Sequence, residues 1–146
     1  MADFEQAIPI ILKDEGGYSN NKSDKGGETY CGISRLDNPN WVGWKIIDGY
    51  KMAHPLHNGD IIKDTVLDGF VHAQYKAKYW DKIQGDNISS QRVANFLFDW
   101  FVNSGYHAVE HLQKCLDIRA DGVMGSGTVA ATNTHIIASI SSMVSW

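Results

Sequence analysis

The strongest constraint on this chain is a stripe of apolar residues at helical spacing, Val93, Phe96, Leu97, Trp100 and Phe101, which an amphipathic helix buries along one side. Weaker stripes recur on both sides of it. Phe4, Ile8, Ile11 and Leu12 predict a first helix that Pro9 either kinks or starts, and that Gly16 and Gly17 end. Trp41, Trp44, Ile47 and Tyr50 predict a short aromatic-faced helix over 41–54, closed by His54-Pro55. Leu67, Phe70, Val71, Gln74, Tyr75 and Tyr79 trace another helix towards Trp80, with Thr65 and Asp68 as its capping box. Ser90 caps the main stripe, and Phe96, Trp100 and Phe101 are expected to be packing residues. After Asn103-Ser104-Gly105, Ala108, Val109, Leu112 and Leu116 mark a fifth helix, and a last one runs from Thr128. Only residues 28–35, ETYCGISR, read as strand. The expected class is mainly α with at most one small hairpin.

The chain has 146 residues and no internal repeat, so one compact domain over 1–146 is expected, acting as a monomer. A net charge of −4 with no basic block argues against nucleic acid as partner. Acidic residues at positions 3 and 5 and an apolar run of only Ala7 to Leu12 predict neither a signal peptide nor stable membrane insertion. Synthesis in the cytoplasm is the corresponding expectation. Cys31 and Cys115 form no disulfide framework and are read as reduced.

Glutamate is scarce, with Glu5, Glu15, Glu28 and Glu110 against thirteen aspartates, so a catalytic glutamate has few candidates. Glu15 falls at the end of an apolar helix, just before Gly16-Gly17. Half-burial and the negative helix end would both raise its pKa, as a general acid near neutral pH requires. Asp24 follows nine residues on, and Thr29 five further, across a Gly-rich loop. Two facing carboxylates are the minimum equipment for glycoside hydrolysis, with Thr29 able to hold water. An ordinary solvated glutamate and an Asx-turn aspartate are the plain alternatives.

Asp14-Glu15-Gly16-Gly17-Tyr18, then Asp24-Lys25-Gly26-Gly27-Glu28-Thr29-Tyr30-Cys31-Gly32-Ile33-Ser34, resembles the catalytic segment of glycosyl hydrolase family 108. Tyr75, Tyr79 and Trp80 resemble that family's Y-x3-YW helix end. The run from Phe98 through Asn103 and Gly105 to Gln113, and Asp121 to Thr128, resembles its peptidoglycan-binding half. The segment 36–64 matches loosely, and residue 30 is Tyr where a smaller polar residue is expected.

The resemblance implies a lysozyme-like helical domain with a catalytic lobe over 1–85 and a peptidoglycan-binding half over 86–146. The implied reaction is hydrolysis of the β-1,4 bond between N-acetylmuramic acid and N-acetylglucosamine in peptidoglycan glycan strands. Glu15 is then the general acid, Asp24 the stabiliser or base, and Thr29 a water-positioning residue, with no cofactor. Such an enzyme, of endolysin or prophage type, would reach the wall through a pore or a secretion route. Tyr18, Trp44, Tyr79, Trp80 and Asn103 are the expected substrate-binding residues; Trp41 and Tyr50 could also stack on sugar rings, and all these aromatics could equally serve packing.

Two rivals come from other classes. One is a non-catalytic wall-binding or secretion-related protein of the same fold. The other is a zinc hydrolase, because His107-Ala108-Val109-Glu110-His111 reads H-x-x-E-H, although no glutamate follows residue 110 as a further ligand.

Overall fold

The computed structural model describes residues 1–21 and 27–144, with side chains as far as His135. The described residues form six α-helices and one small sheet: α1 (Phe4–Glu15), β1 (Tyr18–Asn20), β2 (Glu28–Tyr30), β3 (Ile33–Ser34), α2 (Gly43–Ala53), α3 (Thr65–Tyr75), α4 (Gln91–Ser104), α5 (Tyr106–Cys115) and α6 (Ser126–Val144). The mainly α class is as expected. No described helix is long and apolar enough to cross a membrane. Two compact units divide the chain, one of Pro9–Gln74 and one of Met1–Ile8 with Tyr75–Trp146.

Pro9, which opens the unit of Pro9–Gln74, lies inside α1 at the loss of one rung of the helix's ladder. Its buried Ile11 faces the interior, as do Ile33, Trp44, Ile47, Ile62, Leu67 and Val71. The expected hairpin is β2–β3, whose two loop residues, Cys31 and Gly32, both have positive φ, 49° and 79°. Such a two-residue turn twists with its strands, which is why it closes the tightest hairpins. β1 adds a third antiparallel strand, with Tyr18 opposite Tyr30 and Asn20 opposite Glu28. Tyr-Ser-Asn is too short and polar to show alternation in the sequence. At the start of α3, the Asp64 carboxylate accepts the N–H groups of Val66 (2.9 Å) and Leu67 (3.0 Å). Asp64, one residue before Thr65, is therefore the cap, and the expected Thr65–Asp68 box is not the device used.

The other unit is built on α4, α5 and α6. Beyond α3 the chain passes through a π-helical stretch, Lys76–Trp80, and two short 3₁₀ turns, Asp81–Ile83 and Gly85–Asn87. Trp80 is its centre, fully buried with ring centroids 5.8 Å from Phe4 and 5.4 Å from Phe98. Gly85 lies so close to the indole that any Cβ would overlap it. Ser90 caps α4 as expected, its hydroxyl accepting the Val93 N–H at 3.2 Å.

One expectation for α4 fails. Phe96 is 69% exposed and meets only the edge of Trp100 among the described ring contacts. The buried face is Ala94, Leu97 and Phe98. These lie three and four residues apart on one side of the helix, so a residue between them in sequence points elsewhere.

Candidate active site

Glu15 is the last residue of α1 and is half-buried. Gly16 then turns the chain at φ +74°, a conformation with a steric cost for any residue bearing a Cβ. Gly17 serves differently: a Cβ there would overlap the Asp60 carbonyl. That close approach lets Tyr18 N–H donate to Asp60 O (2.8 Å) and Gly59 N–H donate to Tyr18 O (2.7 Å). Cys31 N–H donates to Gly17 O (3.1 Å) from the hairpin side. The bend that carries Glu15 is thus clamped by backbone on two sides.

A pocket of about 400 Å³ opens beside this bend. It is lined by Leu12 and Gly16 from the end of α1, Tyr30 and Cys31 from the hairpin, Ile61, and Asp68, Val71 and His72 from α3. Glu15 is not itself a lining residue; it lies one turn after Leu12 on α1 and directly before Gly16, both of which line the pocket, and its charge reaches Cys31. Burial, the negative charge of Asp68 and a smaller contribution from Glu15 push the Cys31 thiol up to about 11, against a hydrogen bond with Tyr30 that lowers it. The thiol is protonated at neutral pH and is no nucleophile. Tyr30, buried, accepts the Ile62 N–H at 3.1 Å and so braces the segment beside Ile61. That is a structural use for the tyrosine the sequence left unexplained.

Glu28 supplies a second glutamate on the sheet, and its role is legible from its partners. Its side chain is 11% exposed and accepts from Tyr18 OH (2.6 Å), Lys51 Nζ (2.5 Å) and Arg35 Nη1 (2.8 Å). Arg35 is also held by both oxygens of Asp48 at 2.8 Å. Burial pushes the Glu28 carboxyl up, but hydrogen bonds from Lys51, Tyr18 and Arg35 outweigh it and leave the group below the ordinary glutamate value. An acid held ionised cannot donate a proton near neutral pH. Because its folded pKa is depressed, Glu28 contributes stability that is full above the unfolded pKa of about 4.3 and is lost as pH falls through the lower folded value. Glu28→Gln should therefore lower the melting temperature at neutral pH and flatten its fall on acidification, measured by thermal melts across pH 2–7. Identical pH profiles for the two proteins would show that the cluster contributes nothing.

Several expected site residues lie elsewhere than foreseen. Tyr18 is buried with its hydroxyl on Glu28. Trp44 is buried between the Trp41 edge and the Arg35 guanidinium, its indole N–H donating to Asn38 O (2.7 Å). Trp80 is the core residue described above. All three aromatics are buried, with their rings packed against protein. Tyr79, in the same unit as Trp80, is half-buried between Tyr75 and Phe101. Asn103 is exposed and donates to the Asp99 carbonyl (2.8 Å). Thr29 is half-buried in β2, paired with Ser19 and Ser34 across the sheet. Asp24 lies outside the described residues.

The metal signature does not assemble. His107 pairs with Glu110 at 3.2 Å, while His111 stacks on Trp100 at 5.8 Å. Among the described residues no three metal-binding side chains gather in one place.

Residues 8–105 match the family described as Glycosyl hydrolase 108. The chain belongs to glycosyl hydrolase family 108. It is accordingly a glycoside hydrolase acting on peptidoglycan, on a mainly α, lysozyme-like fold. No protein of curated function matches the chain. Among solved structures, SagA of Brucella abortus is similar, with 29% sequence identity, a TM-score of 0.59 and coverage of 90% of this chain and 68% of that one.

Proposed function

We propose that this family 108 member is an N-acetylmuramidase, hydrolysing the β-1,4 bond between N-acetylmuramic acid and N-acetylglucosamine with Glu15 as general acid. The observation that supports the role of Glu15 is its position, half-buried between the pocket-lining Leu12 and Gly16 and directly before the clamped Gly16-Gly17 bend. The other glutamates fit the role poorly. Glu28 is held as a carboxylate by two cations, Glu110 faces His107, and Glu5 is exposed in the first turn of α1. Asp24 is the proposed partner carboxylate, stabilising positive charge at the sugar or activating water, and Thr29 positions that water.

In the same proposal the protein is made in the cytoplasm and reaches the wall through a pore or secretion route, in the manner of an endolysin. It works as a monomer, and its C-terminal helices add hold on the glycan strand.

Mass spectrometry of purified peptidoglycan digested with the protein tests the bond assignment. Fragments ending in a reducing N-acetylmuramic acid are expected. Reducing N-acetylglucosamine ends, anhydro-sugar ends or released peptides would each assign a different bond or chemistry, and an undigested wall that retains the protein would make it a binding protein.

A further inference from the structure

The pocket beside Glu15 has a composition that constrains what enters it. Its walls are mainly apolar, with aliphatic side chains from Leu12, Ile61 and Val71 beside Tyr30 and Cys31, and its polar groups include the carboxylate of Asp68 and the imidazole of His72. Among the described residues lining it there is no lysine or arginine, and the one carboxylate, Asp68, repels an anionic group such as a lactyl or peptide carboxylate, leaving His72 and Tyr30 as the side chains able to donate a hydrogen bond. An ammonium group would lose its hydration against aliphatic walls for one exposed carboxylate partner, a poor exchange. The chemistry that fits is neutral, with a methyl for the apolar walls and an N–H for the Asp68 acceptor, and at about 400 Å³ the pocket has room for part of the sugar that carries it.

We propose that this pocket takes the 2-acetamido group of a sugar next to the scissile bond, its methyl against Leu12, Ile61 and Val71 and its N–H donating to the Asp68 carboxylate. The assignment rests on the muramidase reading above and deepens it, making these residues the determinants of N-acyl specificity. Asp68 and His72 are one turn apart on α3, so the polar side of the pocket is presented by a rigid helix.

The test uses one peptidoglycan preparation, chemically N-deacetylated and then either re-N-acetylated or N-formylated, so that the two walls differ by a methyl. The wild-type protein should cut the N-acetyl wall with a kcat/KM about ten-fold or more above the N-formyl wall, the range for one methyl in an apolar pocket. Ile61 is 72% exposed and Asp68 is also exposed, so Ile61→Ser and Asp68→Ala keep the fold, which circular dichroism verifies. Ile61→Ser should bring the ratio towards one. Asp68→Ala should raise KM on both walls several-fold while the ratio persists. Equal cutting of the two walls by wild type, an unchanged ratio in Ile61→Ser, or an unchanged KM in Asp68→Ala would each overturn the assignment. Failure of the muramidase reading looks different, since the N-acetyl wall would then yield no reducing N-acetylmuramic acid ends from any variant.

Discussion

Glu15→Gln is expected to lower kcat on purified peptidoglycan by about 10²–10⁴-fold, the usual contribution of a positioned proton donor, with KM and melting temperature nearly unchanged. The substitution keeps shape and hydrogen-bonding capacity but removes the transferable proton. Its side chain is half-buried at a helix end, where glutamine has the same size. Release of new reducing ends is the direct readout, because turbidity alone can fall through binding. Activity within about ten-fold of wild type would put the proton donor elsewhere. Loss of the cooperative melt in the variant would instead reveal a structural carboxylate.

Gly17→Ala should produce the second large effect, through geometry and without touching an ionisable group. Its Cβ would overlap the Asp60 carbonyl, so backbone must move on one side or the other. Inserting a methyl into so tight a contact costs about 1–3 kcal/mol, visible in thermal melts. The hydrogen bonds that clamp Tyr18 to Asp60 and Gly59 are the ones displaced, and Glu15 moves with them. A shift near 1 Å can cost about 10²-fold in rate, so kcat should fall more than stability alone explains. Gly16→Ala is the informative comparison: the space around Gly16 is open, and only the cost of φ +74° applies. A Gly17→Ala protein with wild-type rate and melting temperature would show that the clamp does not set the position of Glu15.

Helical periodicity exposed the helices in the sequence because each buries one face, and the Ser90 cap and the Gly105 break were legible for the same local reasons. Phe96 was misread because a stripe five residues wide specifies a helix more firmly than it specifies which edge of that stripe faces the core. The Gly16-Gly17 ending of α1 was visible, but the partner of Gly17 was not, since Asp60 lies 43 residues away and its contact is through backbone. Tyr18, Trp44 and Trp80 show the limit of reading aromatics: the same ring serves a sugar or a core, and burial alone decides. Asp68 looked like a helix-capping residue, and its place at the pocket follows only once α3 lies beside the hairpin. The cluster of Glu28, Arg35, Asp48 and Lys51 gave no signal because only Asp48 and Lys51 share an element, α2, while Glu28 on β2 and Arg35 after β3 reach them through the fold.

The bend at residues 16 and 17 has no side chains, and that separates two things evolution can alter. Glu15 is presented by backbone against backbone, while the pocket beside it is walled by ordinary side chains on a helix, a hairpin and a loop. If Glu15 is the proton donor and the pocket receives the sugar, as proposed above, substitutions at Ile61 or Asp68 would alter which walls are cut without moving the acid.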